Sequence, residues 1–135
     1  MPNRHAIYLQ QFAHANPIPA ACRRGPLLMS GVINGNDPAT GELPADLDTQ
    51  CRHVFTHVQA ILQAAGATPD DVVKMTVWLQ DREQRGPLNE QWLKLFPDAK
   101  SRPARHALQA ATPSKFLIQC EFTAWVMENA KREKA

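Results

Sequence analysis

The sequence lacks the residue patterns that mark a metal protein, a disulfide-stapled fold or a membrane protein. Its only cysteines, Cys22, Cys51 and Cys120, are odd in number and far apart, with no CxxC pair, so neither a disulfide framework nor a zinc site is expected. A reducing cytoplasm suits such a chain. No window approaches the roughly 18 apolar residues of a membrane span, and the N-terminus has no signal-peptide apolar core; neither a membrane nor secretion is expected. Charge of one sign is scarce too: 15 Lys and Arg against 13 Asp and Glu leave a formal charge of +2, a weak footprint for nucleic acid or an anionic bilayer. Single-stranded RNA is usually held in a basic groove interleaved with stacking aromatics, yet no aromatic interleaves with Arg23 and Arg24 or with Arg102 and Arg105. Nucleic acid is not an expected partner.

What is present fits one domain. A chain of 135 residues can bury roughly two thirds of the surface its unfolded form exposes, and residues 1–135 read as a single unit. Residues 4–9 form a short strand, and Asn16-Pro17-Ile18-Pro19 is an extended approach segment, because a residue before Pro is pushed out of the helical region. Residues 20–24 and 27–33 flank Gly25-Pro26 as a β-hairpin. Gly31 marks either a bulge or a close approach to the backbone. After a turn-rich loop over 34–41, Asp46 or Asp48 caps a helix whose buried face is Leu47, Cys51, Val54, Phe55, Val58, Ile61, Leu62 and Ala65, and Gly66 ends it. His53 and His57 have the spacing of a metal pair, but no third ligand completes it, and they read as solvated.

Residues 72–79 form a strand with Val73, Met75, Val77 and Leu79 on one face and Lys74 and Thr76 on the other. Pro87 opens a second helix with Leu88, Trp92, Leu95 and Phe96 as its apolar stripe, and Pro97 stops it. Two strand-like stretches follow, 101–110 and 115–126, joined by a turn at Thr112-Pro113-Ser114 and read as a hairpin. In the last strand Phe116, Ile118, Cys120, Phe122, Ala124 and Val126 form an apolar face, leaving Gln119 and Glu121 on a mixed face able to line a pocket with Arg105. The order implies an α+β sandwich, two helices on one face of a mainly antiparallel sheet. Arg105 stands out because its planar fork matches a carboxylate with two parallel hydrogen bonds, so an Arg fixed on a strand is a natural carboxylate receptor. The alternative is a surface Arg paired with a neighbouring acid.

These pieces resemble the RidA (YjgF/YER-type) family of the Rid superfamily, whose members have also been labelled endoribonucleases or translation inhibitors. The likeness spans about residues 16–126, leaving 127–135 as a charged tail. It rests on Leu28-Met29-Ser30-Gly31, Asp37-Pro38-Ala39-Thr40-Gly41, Ala64-Ala65-Gly66, the run from Asp70 to Val77, Asn89, Pro103-Ala104-Arg105 and Glu121, in family order and spacing. It implies a chorismate-mutase-like α+β fold and homotrimers with clefts between subunits. The implied activity is hydrolysis of reactive 2-imino or enamine acids to 2-keto acids and ammonia, without metal or cofactor.

Such chemistry needs a carboxylate receptor, a water aimed at the C=N carbon and proton transfer to the departing nitrogen. Arg105 would clamp the carboxylate, with backbone near Gly31 and Ala107 orienting the imine. The resemblance places Asn89 and Ile18 in the substrate site as well. It also exposes departures: the family's water-binding glutamate falls at Gln119, its tyrosine at Ile18, and its cysteine two residues past the arginine at Ala107. Gln can position a water but cannot take its proton. Glu121 is then either a replacement base or a structural acid in an intersubunit ion pair. Two readings follow, a deaminase acting on a bulkier or more apolar substrate, and a non-catalytic trimer that binds 2-keto acids or similar carboxylates.

Overall fold

The computed structural model describes residues 3–12 and 16–127; the expected tail from 128 onward lies outside them. Its strands are β1 (Arg4–Ile7), β2 (Ala21–Arg24), β3 (Leu27–Ser30), β4 (Ile33–Asn34), β5 (Val72–Leu79), β6 (Ala104–Gln109) and β7 (Ile118–Trp125), and its helices α1 (Leu47–Ala64) and α2 (Gly86–Leu95). One sheet runs β1-β2-β3-β7-β5-β6, with β4 continuing the line of β3 along β7. The helices and the inner sheet face enclose one core, to which β5 and β7 contribute Met75, Val77, Leu79, Ile118, Cys120 and Phe122. Burying each large aliphatic side chain there contributes about 1.5–3 kcal/mol. The α+β sandwich expected from the sequence is the observed architecture.

The helix ends follow their sequence signals. Asp46 is the N-cap of α1, its carboxylate accepting from the Thr49 amide at 2.9 Å and the Thr49 hydroxyl at 2.7 Å, a cap that stabilises by about 1 kcal/mol. Past the C-cap Ala65, Gly66 has φ +72°, the left-handed conformation that lets the chain leave a helix without a Cβ penalty.

One expectation about the sheet, a bulge at Gly31, is met, and another, the alternation in β5, is corrected. The stretch 27–33 is not continuous: Met29 pairs with Thr123 and Ile33 with Cys120, four steps on one strand against three on the other. The extra residue is a bulge at Gly31 and Val32, where the Ser30 hydroxyl takes over the ladder by accepting from the Phe122 amide at 2.9 Å. A second bulge starts β5, since Val72 pairs with Ala124 and Lys74 with Thr123. Val72 therefore faces the core and Val73 is about half exposed, the reverse of the strict alternation.

The larger correction concerns the last two strands. β6 and β7 do not form a hairpin: β6 pairs in parallel with β5, β7 pairs antiparallel with β5, and β5 lies between them. The reason is α2, which carries the chain from the end of β5 back to its start and so delivers β6 beside β5 in the same direction. Arg105 is in register with Met75, and Met75 with Phe122, both buried on the helix side. Gln119 and Glu121 alternate with the buried Ile118, Cys120 and Phe122, so they face the other side.

Candidate functional site

The sheet thus holds two separate sets of candidate residues. On the helix side, Arg105 leans against α2. Its Nη2 donates to Asn89 Oδ1 at 2.8 Å, and its guanidinium carbon lies 4.9 Å from the centre of the Trp92 ring. Asn89 and Trp92 are three apart on α2 and so share a face; one fixes the fork and the other supplies an aromatic platform. Trp92 was legible only as core. Among the described residues, Arg105 Nη1 is buried with no hydrogen-bond partner and no carboxylate pairs with the group. Burial, and then the nearby Arg85 cation, lower its pKa from the ordinary arginine value. Ala107 follows on the same face of β6, an edge strand that presents alternate main-chain groups outward.

Gln119, Gly31 and Ile18 meet elsewhere, in a groove of about 950 Å³ whose walls include the 34–41 loop, Phe12 and His57. Gln119 Nε2 donates to Asn34 Oδ1 at 2.8 Å, leaving its carbonyl oxygen to accept from a water. The Gly31 amide is already used, donating to Ala20 O at 2.8 Å, so its carbonyl is the main-chain group left for a ligand. A Cβ on Gly31 would meet only ordinary contacts; crowding within the chain does not demand glycine there. Glu121 sits two residues along β7 on the same face, paired with Thr76, and is not part of the groove wall. Arg105, Asn89 and Ala107 do not line this groove, and the side chains of Arg105 and Gln119 leave opposite faces of the sheet.

The groove loop is anchored to α1 by the two histidines, which corrects their reading as solvated. His57 is 2% exposed, with Nε2 donating to the Asn36 carbonyl at 2.7 Å and its ring edge-on to Phe12 at 4.7 Å. His53 Nδ1 donates to the Gly35 carbonyl at 3.0 Å. The loop is also pressed close, because a Cβ on Gly35 would stand 2.7 Å from the Gln50 backbone. Gln50 is itself fully buried and paired, accepting from the Leu117 amide and donating to the Pro44 and Lys115 carbonyls. The loop therefore covers the flank of α1 that periodicity assigned to solvent.

Burial is the main cause that lowers the His57 pKa, and the sign of the consequence is definite. A histidine less basic in the folded state contributes stability that is present above its unfolded pKa of about 6.5 and is lost as pH falls through the folded value. The urea midpoint is expected to fall between pH 7.5 and pH 5, and His57→Gln, which keeps a donor for the Asn36 carbonyl, is expected to flatten that slope. The nearby Asp37 titrates below its ordinary 3.8, held down by the Ala39 and Thr40 amides, and so acts outside this window. An equal slope in both proteins would place the titration elsewhere.

Two of the three cysteines, Cys51 and Cys120, are buried. Burial pushes the Cys51 thiol up to about 12, with Asp48 adding to the effect, and raises Cys120 as well, so neither offers a thiolate. No group of three or more His, Cys, Asp or Glu side chains among the described residues is placed to hold a metal ion.

A family model described as endoribonuclease L-PSP matches residues 9–126. The chain belongs to this family, the Rid family. A Rid relative, the 2-iminobutanoate/2-iminopropanoate deaminase of Escherichia coli K12, is 35% identical over 100 residues, covering 73% of this chain and 77% of its own. A RutC family protein of Pyrococcus horikoshii is 38% identical over 91 residues, 66% of this chain and 71% of that protein. Among solved Rid structures, RidA from an Antarctic Psychrobacter superposes with a TM-score of 0.79 at 28% identity, covering 90% of this chain and all of that one. The YjgF gene product of E. coli gives the same TM-score and identity over 90% of this chain and 98% of its own.

Proposed function

We propose that this chain hydrolyses reactive 2-imino or enamine acids to 2-keto acids and ammonia, in a cleft that two copies of the chain complete. Arg105 carries the reading. A cation braced by Asn89 and Trp92, with a buried Nη1 that has no partner and no carboxylate beside it among the described residues, is a receptor for an anion from outside the chain. A planar carboxylate can take one N–H from Nη1 and the second N–H of Nη2. The Rid relative named as a 2-iminobutanoate/2-iminopropanoate deaminase acts, by that name, on such carboxylates. Water held by Gln119 would add to the C=N carbon, and collapse of the adduct expels ammonia; Gly31, Ala107 and Ile18 shape the cavity. No metal or cofactor enters this scheme. Ammonia release from imino acids generated in situ tests it.

The sheet itself calls for the second copy. Arg105 and Gln119 lie on opposite faces with β5 between them, so one chain cannot close both on one substrate. The face bearing Gln119 also exposes Met29 and Trp125, each about half exposed, an apolar surface that the two helices leave bare. We expect a homotrimer, with a sedimentation mass three times the 15.1 kDa of the chain, and a lower mass for Trp125→Arg. A stable wild-type monomer at micromolar concentration would remove the shared cleft.

A second reading has one observation in its favour: Gln119 carries an amide where water activation asks for an ionisable group. A trimer that only binds 2-keto acids through Arg105 would need nothing more. Nucleic acid is the weaker partner, because Arg23 and Arg102 donate to the chain's own carbonyls at Ala65, Gly25, Phe96 and Pro97. Among the described residues no helix is long and apolar enough to cross a membrane, and a cytoplasmic location with three free thiols is part of the same proposal.

A further inference from the structure

The cation next to Arg105 is a second arginine. Arg85 precedes α2 as its N-cap residue, and its carbonyl accepts from the Asn89 amide at 2.8 Å. Residues 85, 89 and 92 therefore lie along one line of the helix at i, i+4 and i+7, and this line meets Arg105, which touches Asn89 and Trp92. Arg85 spends only Nε, donating to the Arg82 carbonyl at 3.0 Å. Neither arginine forms an ion pair among the described residues.

Two like charges near each other, neither ion-paired among the described residues, are destabilising, and more so where burial weakens solvent screening. A single carboxylate on Arg105 offsets one of them. The other remains on Arg85, one helical turn before Asn89 along the same face of α2. A ligand with a second anionic group a few bonds from its first would meet both forks.

We propose that the site prefers a dicarboxylate, a 2-imino or 2-keto acid whose own side chain ends in a carboxylate, with Arg85 reading that second group. The inference rests on Arg105 as the receptor for the first carboxylate. It replaces the expectation of a more apolar substrate, which came from Ile18 alone; Ile18 lies in the groove with Gln119 and lines a different part of the composite cleft. A chain of a few methylenes between two carboxylates suits both.

Calorimetric titration of the assembled protein with 2-ketoglutarate and with 2-ketobutyrate, a di- and a monocarboxylate that are stable, separates the two levels of the argument. Wild type is expected to bind 2-ketoglutarate at least 10-fold more tightly, with the difference shrinking at high salt. Arg85→Gln is expected to erase that difference while leaving 2-ketobutyrate binding within about twofold. Arg85→Lys should restore part of it. Equal affinity of wild type for both acids overturns the dicarboxylate preference and leaves Arg105 standing as a receptor. Binding of neither acid overturns the receptor and the preference together. A preference that survives in Arg85→Gln assigns the second carboxylate to another residue and also overturns the proposal.

Discussion

Replacing Arg105 with alanine is expected to lower affinity for small 2-keto acids by roughly 10²–10⁴-fold. Two hydrogen bonds to a charged group are lost, each worth about 1.5–3 kcal/mol, and every 1.4 kcal/mol is about tenfold. Arg105→Lys is expected to recover little, because an ammonium is a point charge without the planar fork and cannot satisfy Asn89 and a carboxylate in the same geometry. The fold should tolerate both changes, since Arg105 is only partly buried and its removal relieves a buried unpaired donor. Equal binding by wild type, Arg105→Ala and Arg105→Lys would move the receptor elsewhere in the molecule. Calorimetry with 2-ketobutyrate, alongside circular dichroism of each variant, is sufficient.

Gln119→Glu is expected to change turnover most. General-base assistance contributes roughly 10²–10⁴-fold when geometry is right, and the substitution puts an ionisable group where water is held. Asn34 can accommodate it, because rotating its amide presents Nδ2 to the new carboxylate in place of the present bond from Gln119 to Oδ1. If the wild type is a deaminase whose base has moved to Glu121, Glu121→Gln lowers its ammonia release. If the chain only binds ligands, wild type and Glu121→Gln are equally inert, and Gln119→Glu weakens binding by bringing a second anion towards the substrate carboxylate. Activity unmoved by either substitution would falsify both versions and leave ordered water and Arg105 to carry the chemistry.

The parts that sequence could reveal are those governed by local rules. α1 and α2 follow from periodicity and caps: Asp46, Gly66, Pro87 and Pro97 each act through backbone geometry of their immediate neighbours. Arg105 was legible as a charge on a strand, and Gly31 as a bulge. What failed was pairing. Chain adjacency made β6 and β7 look like a hairpin, whereas a strand, a ten-residue helix and a second strand over 72–109 form a parallel crossover unit that places β5 between them. The same limit hid the roles of His57, Arg85 and Trp92. His57 is buried by a loop from elsewhere in the chain, and helical spacing alone cannot distinguish a flank covered in that way from one facing water. Gln119 was legible as one of two polar residues alternating on the mixed face of the last strand, and only its match to a family glutamate singled it out from Glu121.

The position of β5 also constrains how copies can assemble. If Arg105 of one chain meets Gln119 of another, each chain offers an arginine surface on one side of its sheet and a glutamine surface on the other. A contact between unlike surfaces is heterologous, and such contacts propagate head to tail until a rotation closes them into a ring. A closed ring matches every arginine surface with a glutamine surface, while an open row leaves one of each bare at its ends. On that condition the sheet favours cyclic order, with as many clefts as chains.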